Sequence, residues 1–187
     1  MRLFVSIDLP EEFAERIAAV QEDLDEAEGI RPTDPTQTHV TLKFLGEIPE
    51  DRLPELESAL ETAVADSDVS PFEAEYGGLG VFPSIEYISV VWIGVRDGTT
   101  EMTRLHEAIE RETVEMGFDP EDHDFTPHAT VARMDHAGGK ELVQRLVRER
   151  DPTIGRPTVE AVTLKESELG PEGSVYSTVR SYPLDAD

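Results

Sequence analysis

Thr38-His-Val-Thr-Leu-Lys-Phe-Leu-Gly46 and Phe125-Thr-Pro-His-Ala-Thr-Val-Ala-Arg133 are two stretches built on one pattern, in which a threonine follows a histidine by two residues. Each stretch is a short run rich in β-branched and apolar residues, which is typical of a β-strand. Side chains of a strand alternate between its two faces, so the histidine and the threonine of each copy point the same way. The pattern therefore predicts two strands, each presenting an imidazole and a hydroxyl side by side.

The four polar side chains of these motifs are candidate site residues. His39 and His128 can exchange protons near neutral pH, so one can activate a nucleophile while the other protonates a leaving oxygen. Thr41 and Thr130 can donate hydrogen bonds to the non-bridging oxygens of a phosphate, where negative charge develops. If the two strands face each other, the motifs surround one small anion, and the pattern favours acid–base chemistry on a phosphate.

Arg133 closes the second motif and stands five residues after His128. In a regular strand this odd spacing places the two side chains on opposite faces. The spacing alone leaves two alternatives for Arg133. It is either a surface arginine, as most arginines are, or a group that reaches the phosphate through a bend in the strand.

Strand-like and helix-like patterns alternate along the 187 residues. Proline and acidic residues mark the starts of two helices, and glycine marks the end of a third. The predicted strands cover residues 2–8, 38–45, 72–80, 87–95, 126–133, 158–166 and 175–184, and the predicted helices cover about 10–27, 49–65, 99–117 and 138–150. Residues 29–35 and 119–124 are predicted to be loops.

The same unit of strand, helix, motif strand, helix and strand occurs once in each half of the chain, and no long linker separates the halves. We therefore expect an α+β fold forming a single bilobal domain over residues 1–187. Its two pseudo-symmetric lobes would consist of mostly antiparallel sheet with helices outside. The motif strands are expected to meet at a central cleft between the lobes.

The charge balance is strongly acidic. Aspartate and glutamate total 41 against 16 lysines and arginines, which gives a net charge of −25, and Lys43, Lys140 and Lys165 are the only lysines. Such a surface is typical of proteins from a salt-loaded cytoplasm, where salt screens the repulsion. Extended binding of duplex nucleic acid needs clustered basic residues and is therefore not expected. An RNA substrate would be recognised locally, at one end or one phosphate.

Other classes of chemistry and location find less support in the sequence. The chain has no cysteine, no apolar run that could span a bilayer, and no signal-peptide pattern, which predicts a cytoplasmic protein without membrane contact. Gly77-Gly78-Leu-Gly80 lacks the lysine and helix start of a phosphate-binding loop. Glu121-Asp-His-Asp124 offers metal-ligating groups, but the acidic residues fit a solvated loop, so we expect neither a metal nor a cofactor.

The residues around the two tripeptides make the motifs more specific. Phe44-Leu-Gly46 follows the first histidine–threonine pair, Pro127 precedes the second, and Arg133 closes it, while Arg2-Leu-Phe-Val-Ser-Ile7 opens the chain. With these features the sequence resembles the 2H phosphoesterases, and among them the RNA 2′,3′-cyclic phosphodiesterases, also called 2′-5′ RNA ligases. The resemblance covers nearly the whole chain.

The resemblance implies roles for individual residues. His39 and His128 would be the catalytic pair, with His39 as the acid on the leaving oxygen and His128 as the base on water. Thr41 and Thr130 would bind the phosphate, and Arg133 is also expected there. Phe44 is a candidate for the border of the base pocket, with packing in the core as the alternative.

The reaction implied by the resemblance is metal-free hydrolysis of a 2′,3′-cyclic phosphate to a 2′-phosphomonoester. The substrates would be RNA ends or nucleoside 2′,3′-cyclic phosphates, and the protein is expected to act as a monomer. Two alternatives stay open. The same site could join RNA ends through a 2′-5′ linkage, or the protein could be a non-catalytic module that binds RNA ends.

Overall fold

The computed structural model describes residues 1–185 of the chain. The strands are β1 (Arg2–Asp8), β2 (Ile30–Pro32), β3 (His39–Glu47), β4 (Phe72–Glu73), β5 (Glu75–Pro83), β6 (Ile88–Asp97), β7 (His128–Met134), β8 (Thr153–Gly155), β9 (Thr158–Val159), β10 (Ala161–Gly170) and β11 (Gly173–Pro183). The helices are α1 (Ala14–Leu24), α2 (Leu53–Asp66), α3 (Thr99–Glu115) and α4 (Lys140–Glu149). None of these helices is both long and apolar enough to cross a bilayer.

One antiparallel sheet runs through the molecule in the order β11-β10-β1-β3-β7-β6-β5-β8, and β2 pairs with β7 beside it. The strands β4 and β9 form a separate two-stranded sheet. The two motif strands, β3 and β7, are neighbours at the centre of the large sheet. The expected α+β fold, with two lobes of antiparallel sheet and the motifs between them, is therefore confirmed.

The lobes do not coincide with the halves of the chain. In the repeated unit, β5 is the last strand of the first repeat, and it pairs with β6, the first strand of the second repeat. In the same way β10, from the second repeat, pairs with β1 of the first. The helices cross over as well, because α1 contacts β7 while α3 contacts β3. Each lobe thus contains elements from both repeats, which ties the two motif strands to each other through the whole fold.

Apolar side chains of the sheet and helices form one core. One face of the central strands is fully buried, including Val40 and Leu42 on β3 and Ala129 and Val131 on β7. The helices cover this face, and burial of apolar surface of this extent is the main source of folding free energy. The opposite face of β3 and β7 is left open between the lobes.

Several details of the predicted elements are wrong, among them the single strand predicted over residues 72–80, which is divided into β4 and β5, and the short strand β8, which was not predicted. The first helix begins at Ala14, after a 3₁₀ turn, and ends at Leu24, where the N–H groups of Asp25 and Ala27 bond to carbonyl oxygens three residues back instead of four. The predicted loop 29–35 contains β2, a three-residue strand that forms because β7 offers it a free edge. The second-last strand continues beyond the predicted residue 166 to Gly170, and the last begins at Gly173 instead of residue 175, since the two strands stay paired up to the turn of one hairpin.

Candidate active site

The relative positions of the two motifs follow from a single cross-strand pair. Val40 of β3 lies directly opposite Ala129 of β7, and both side chains are fully buried in the core. Because side chains alternate along each strand, the residues on either side of this pair point to the other, open face. The two histidines and the two threonines of the motifs therefore share one face of the sheet, at the floor of the cleft. They are His39, Thr41, His128 and Thr130.

Both imidazoles are held in the same tautomer. Nδ1 of His39 donates to the carbonyl oxygen of Gln37 at 2.8 Å, and Nδ1 of His128 donates to that of Thr126 at 2.7 Å. A carbonyl oxygen can only accept, so Nδ1 carries a hydrogen in both rings. Nε2 is then the atom of each ring that can give or take a proton.

Arg133 lies on the same face as His128, although the spacing of five predicted the opposite face. The register between β6 and β7 shifts at Val131, which is an extra residue on β7 with no partner on β6. Such a β-bulge reverses the alternation of side chains beyond it. Val131 and Ala132 are both buried, and the exposed Arg133 returns to the open face, close enough to lower the pKa of His128.

Phe44 occupies the corresponding position in the first motif. The register between β1 and β3 shifts at Leu42, so that Leu42 and Lys43 are both buried and Phe44 points to the open face. Phe44 is 48% exposed, and the guanidinium of Arg2 lies 5.2 Å from the centroid of its ring. The alternative of core packing for Phe44 is therefore wrong. The two bulges place an aromatic ring on one side of the cleft and a cation on the other.

Aromatic rings enclose both histidines. The rings of Phe4 and Tyr176 lie 5.0 and 5.2 Å from that of His39. Phe82 and Trp92 lie 4.8 and 5.8 Å from the ring of His128. These contacts remove water from the sides of both imidazoles and restrict their orientation.

Gly80 makes room for one of these rings. The Trp92 indole lies directly against Gly80 on β5, where a Cβ would clash with the ring. The glycine-rich segment that contains Gly80 therefore serves the packing of the site.

An ion pair lies beside His39. Asp8 is the cross-strand neighbour of His39, and its carboxylate accepts hydrogen bonds from Lys165 Nζ at 2.8 Å and from Ser6 Oγ at 2.9 Å. Burial lowers the pKa of His39 below its ordinary value, while the carboxylate of Asp8 opposes this shift and Lys165 adds to it. Removal from water disfavours the charged imidazolium, whereas a nearby negative charge favours it.

His39 lies beside the negative carboxylate of Asp8, whereas the charged neighbour of His128 is the positive guanidinium of Arg133. Burial lowers the pKa of His128, and the positive charge of the nearby Arg133 guanidinium lowers it further. Among the charged side chains, Asp8 has the strongest effect on the pKa of His39 and raises it, whereas Arg133 has the strongest effect on the pKa of His128 and lowers it. The two imidazoles are chemically different in spite of the matching motifs.

A second polar cluster lies on the loop before β7. Ligand atoms of Glu121, Asp122 and His123 lie within 4.8 Å of one another, on a largely exposed segment. Three of the four residues that the sequence offered as an alternative metal site are in this group, and Asp124 is not. Exposed acidic groups of this kind are common on protein surfaces.

Several residues around the site carried no recognisable signal in the sequence. Asp8, Lys165, Tyr176, Phe82 and Trp92 come from strands outside the motifs. Their contacts with the histidines depend on strand pairing between distant parts of the chain. The alternation of side chains on each strand was visible in the sequence, but the pairing was not.

The chain is similar to known proteins over nearly its whole length. The family model described as LigT like Phosphoesterase matches it twice, over residues 7–92 and 93–176, so that each match contains one motif. An RNA 2′,3′-cyclic phosphodiesterase of Methanothermobacter thermautotrophicus is 33% identical over 186 residues, covering 98% of this chain and 99% of that protein.

Solved structures show the same fold. The protein TT0787 of Thermus thermophilus matches with a TM-score of 0.80 and 30% sequence identity, over 98% of both chains. LigT of E. coli, in a structure complexed with 3′-AMP, matches with a TM-score of 0.77 and 25% identity, over 99% of this chain and 98% of the other.

Proposed function

The chain belongs to the LigT-like phosphoesterase family, and from this membership we propose that it is an RNA 2′,3′-cyclic phosphodiesterase. It would hydrolyse 2′,3′-cyclic phosphate ends to 2′-phosphomonoesters by acid–base catalysis, without a metal ion. The observation that carries the proposal is the common face of His39 and His128, each with Nδ1 bound to a carbonyl oxygen and Nε2 left for proton transfer.

The proposed reaction is a single displacement at phosphorus. Nε2 of neutral His128 takes a proton from water, whose oxygen forms a bond to phosphorus as the bond from phosphorus to O3′ breaks. The imidazolium of His39 gives its Nε2 proton to O3′, which leaves as a hydroxyl. His39 ends neutral and His128 ends protonated, and exchange with solvent restores the starting forms.

The charged neighbours support this division of roles. The carboxylate of Asp8 favours the protonated form of His39, which is the form that an acid needs. The guanidinium of Arg133 favours the neutral form of His128, which is the form that a base needs. Groups with environments that push their protonation states apart are the usual solution for paired acid and base catalysts.

Phosphate recognition in this proposal rests on few residues. Thr41 and Thr130 donate hydrogen bonds to the non-bridging oxygens, and Arg133 supplies a charged fork for the same group. Phe44, on the other side of the floor, borders the space for the base or ribose. LigT of E. coli has been solved in complex with 3′-AMP, which supports a nucleotide ligand for this fold.

The two lobes act as one domain in this proposal, and the protein acts as a monomer. One chain contributes both motifs and all the aromatic rings around them, so the site is complete without a second copy. We also propose a cytoplasmic location, since a chain without cysteine cannot form the disulfides that are typical of secreted proteins.

Product analysis tests the proposed function. The purified protein, assayed at high salt, should convert an oligoribonucleotide with a 2′,3′-cyclic phosphate end to one with a 2′-phosphate end. A second reaction containing an oligonucleotide with a 5′-hydroxyl end measures any 2′-5′ joining. We expect hydrolysis to dominate in water. Tight binding without turnover would contradict the proposal and favour a module that only binds RNA ends.

A further inference from the structure

The carbonyl group of the bulge residue in the second motif has a dedicated side-chain partner. Nε2 of Gln21, on α1, donates to the carbonyl oxygen of Val131 at 3.0 Å and to that of Thr33 at 2.7 Å. The backbone N–H of Thr33 donates to the same Val131 oxygen at 3.0 Å. Gln21 is buried, so a change that removed its amide would leave these carbonyl groups partly unsatisfied.

The bulge residue in the first motif is bound in the same way. Nδ1 of His106, on α3, donates to the carbonyl oxygen of Leu42 at 2.7 Å. The His106 ring is buried and stacks on Phe125 at 4.2 Å, with 9° between the ring planes. His106 therefore contacts the bulge of one motif and the segment that leads into the other.

These two contacts are reciprocal across the repeats. The helix α1 belongs to the first repeat, and its Gln21 binds the bulge of the second motif. The helix α3 belongs to the second repeat, and its His106 binds the bulge of the first motif. Each bulge interrupts the regular strand pairing at one residue, and a helix side chain binds its carbonyl group, together with the backbone N–H of Thr33 in the case of Val131.

The bulges matter because they aim the residues two positions further on. Without the extra residue at Val131, Arg133 would point away from the phosphate, as the regular alternation predicts. Without the one at Leu42, Phe44 would point into the core.

We propose that Gln21 and His106 are positioning residues that hold the two motif bulges and thereby aim Arg133 and Phe44 into the active site. This inference rests on the proposed function for its kinetic readout. Each residue acts on substrate through the motif of the opposite repeat.

Substitutions that keep volume and remove the donor test the idea. Gln21→Met keeps the length of the side chain, and His106→Phe keeps the ring on Phe125. His106→Asn retains a donor close to the position of Nδ1. Thr113→Val is the matched control, because it removes another buried hydrogen bond of α3, from Oγ1 to the carbonyl oxygen of Ile109 at 2.7 Å.

Each variant that loses a donor should show the kinetic effect of misplacing the residue which that donor positions. With a nucleoside 2′,3′-cyclic phosphate as substrate, Gln21→Met should lower kcat/KM roughly 10-fold, the size of one lost hydrogen bond to a charged group. In the background of Arg133→Ala, the same change should cost less than about twofold, since the residue it positions is gone.

The two His106 variants separate positioning from packing. His106→Phe should raise KM, and this effect should vanish in a Phe44→Ala background, while His106→Asn should restore most of the wild-type KM. Thr113→Val should lower the unfolding temperature without changing kcat/KM.

Three outcomes would overturn the inference. They are a Gln21→Met variant that loses only stability, a loss of kcat/KM that is undiminished in the Arg133→Ala background, and a His106→Asn variant as impaired as His106→Phe. If His106→Phe fails to fold, Gln21→Met and His106→Asn still decide the question.

A separate readout distinguishes this inference from the proposed function. If the wild-type protein does not hydrolyse cyclic phosphates, the dissociation constant of inorganic phosphate is measured for the same variants by calorimetry. Positioning would still be supported if Gln21→Met binds phosphate more weakly than the wild type does, while the double variant with Gln21→Met and Arg133→Ala binds it as well as Arg133→Ala alone. Equal binding by the wild type and Gln21→Met would contradict it.

Discussion

Val40 pairs directly with Ala129, and this pair determines which way the functional side chains of both motifs point. Antiparallel pairing at these residues places each histidine across from the threonine of the other motif, because the register runs in opposite directions along the two strands. An imidazole and a hydroxyl therefore lie on each side of the space where a phosphate would bind. The site has approximate two-fold symmetry, which the different neighbours of the histidines break.

The pH dependence of kcat/KM should be bell-shaped, with its maximum below about pH 6.5, the ordinary pKa of histidine. Burial lowers the pKa of both His39 and His128 in the free protein. As pH rises through the lowered pKa of His39, the acid loses its proton and the rate falls. As pH drops through that of His128, the base becomes protonated and the rate falls again.

The profile of kcat should have its alkaline limb at higher pH than that of kcat/KM. Bound substrate brings a phosphate anion next to His39, and a nearby negative charge raises the pKa of an imidazole. Initial rates from mildly acidic to alkaline pH, at saturating and at low substrate, give both profiles. A kcat/KM that rises steadily across the alkaline range would contradict the assignment of a protonated histidine as the acid.

Replacement of Arg133 by alanine should lower kcat/KM by about 10- to 100-fold, the range for a hydrogen bond to a charged group. Arg133→Lys should recover part of this loss, since lysine keeps the charge but not the planar fork. Arg31→Ala is the matched control, because Arg31 lies opposite Arg133 on β2 and pairs with Asp135 at 3.2 Å. Equal effects of Arg133→Ala and Arg31→Ala would exclude a role for Arg133 at the phosphate.

The case of Arg133 also shows how far the sequence could be interpreted. The strand assignment of the second motif and the face shared by His128 and Thr130 are both predictable from alternation. The bulge at Val131 is not, because it depends on pairing with β6 and on the Gln21 amide from a distant helix. A residue-by-residue resemblance gave the right face for Arg133 where periodicity gave the wrong one.

The overall fold was likewise predictable where it depends on local sequence patterns, and unpredictable where it depends on strand pairing. Order and type of the long elements follow from local patterns, and so does the repeat. The exchange of β5 and β10 between lobes does not, because strand pairing between the repeats has no local signature. The same holds for Asp8 and Lys165, whose ion pair beside His39 joins residues from opposite ends of the chain.

Removal of metal ions should leave the activity unchanged. The proposed proton transfers use the Nε2 atoms of the two histidines, and the cluster of Glu121, Asp122 and His123 lies on the loop outside the motifs. Activity is measured after dialysis against EDTA, and again in a Glu121→Ala, His123→Ala double variant. A strong loss after EDTA treatment that zinc or magnesium restores would favour metal-assisted hydrolysis over the proposed mechanism.

The stability of the protein should increase with salt. The net charge of −25 produces self-repulsion over the surface. The net charge already counts the three lysines, of which Lys43 pairs with Glu110 at 2.6 Å and Lys165 pairs with Asp8, so the excess of acidic charge stays uncompensated. The Debye length falls from about 10 Å at 0.1 M salt to about 3 Å at 1 M, so added salt screens most surface repulsion.

Thermal unfolding monitored by circular dichroism measures this effect. We expect Tm to rise steeply between about 0.1 and about 1 M KCl and more slowly beyond, as screening becomes complete. Sucrose at matched osmolality is the control for effects other than screening. A Tm that is independent of KCl, or that rises as much in sucrose, would contradict the role given to surface charge.

The central claim is that His39 and His128 serve one reaction as acid and base. Turnover of a nucleoside 2′,3′-cyclic phosphate by His39→Ala, His128→Ala and the double variant tests it most directly, with His136→Ala as a control for histidine replacement outside the site. We predict that each single change lowers kcat by about 100- to 10,000-fold. The double variant should be little worse than either single variant, and His136→Ala should keep wild-type activity. Near-normal turnover by His39→Ala or by His128→Ala would contradict the account.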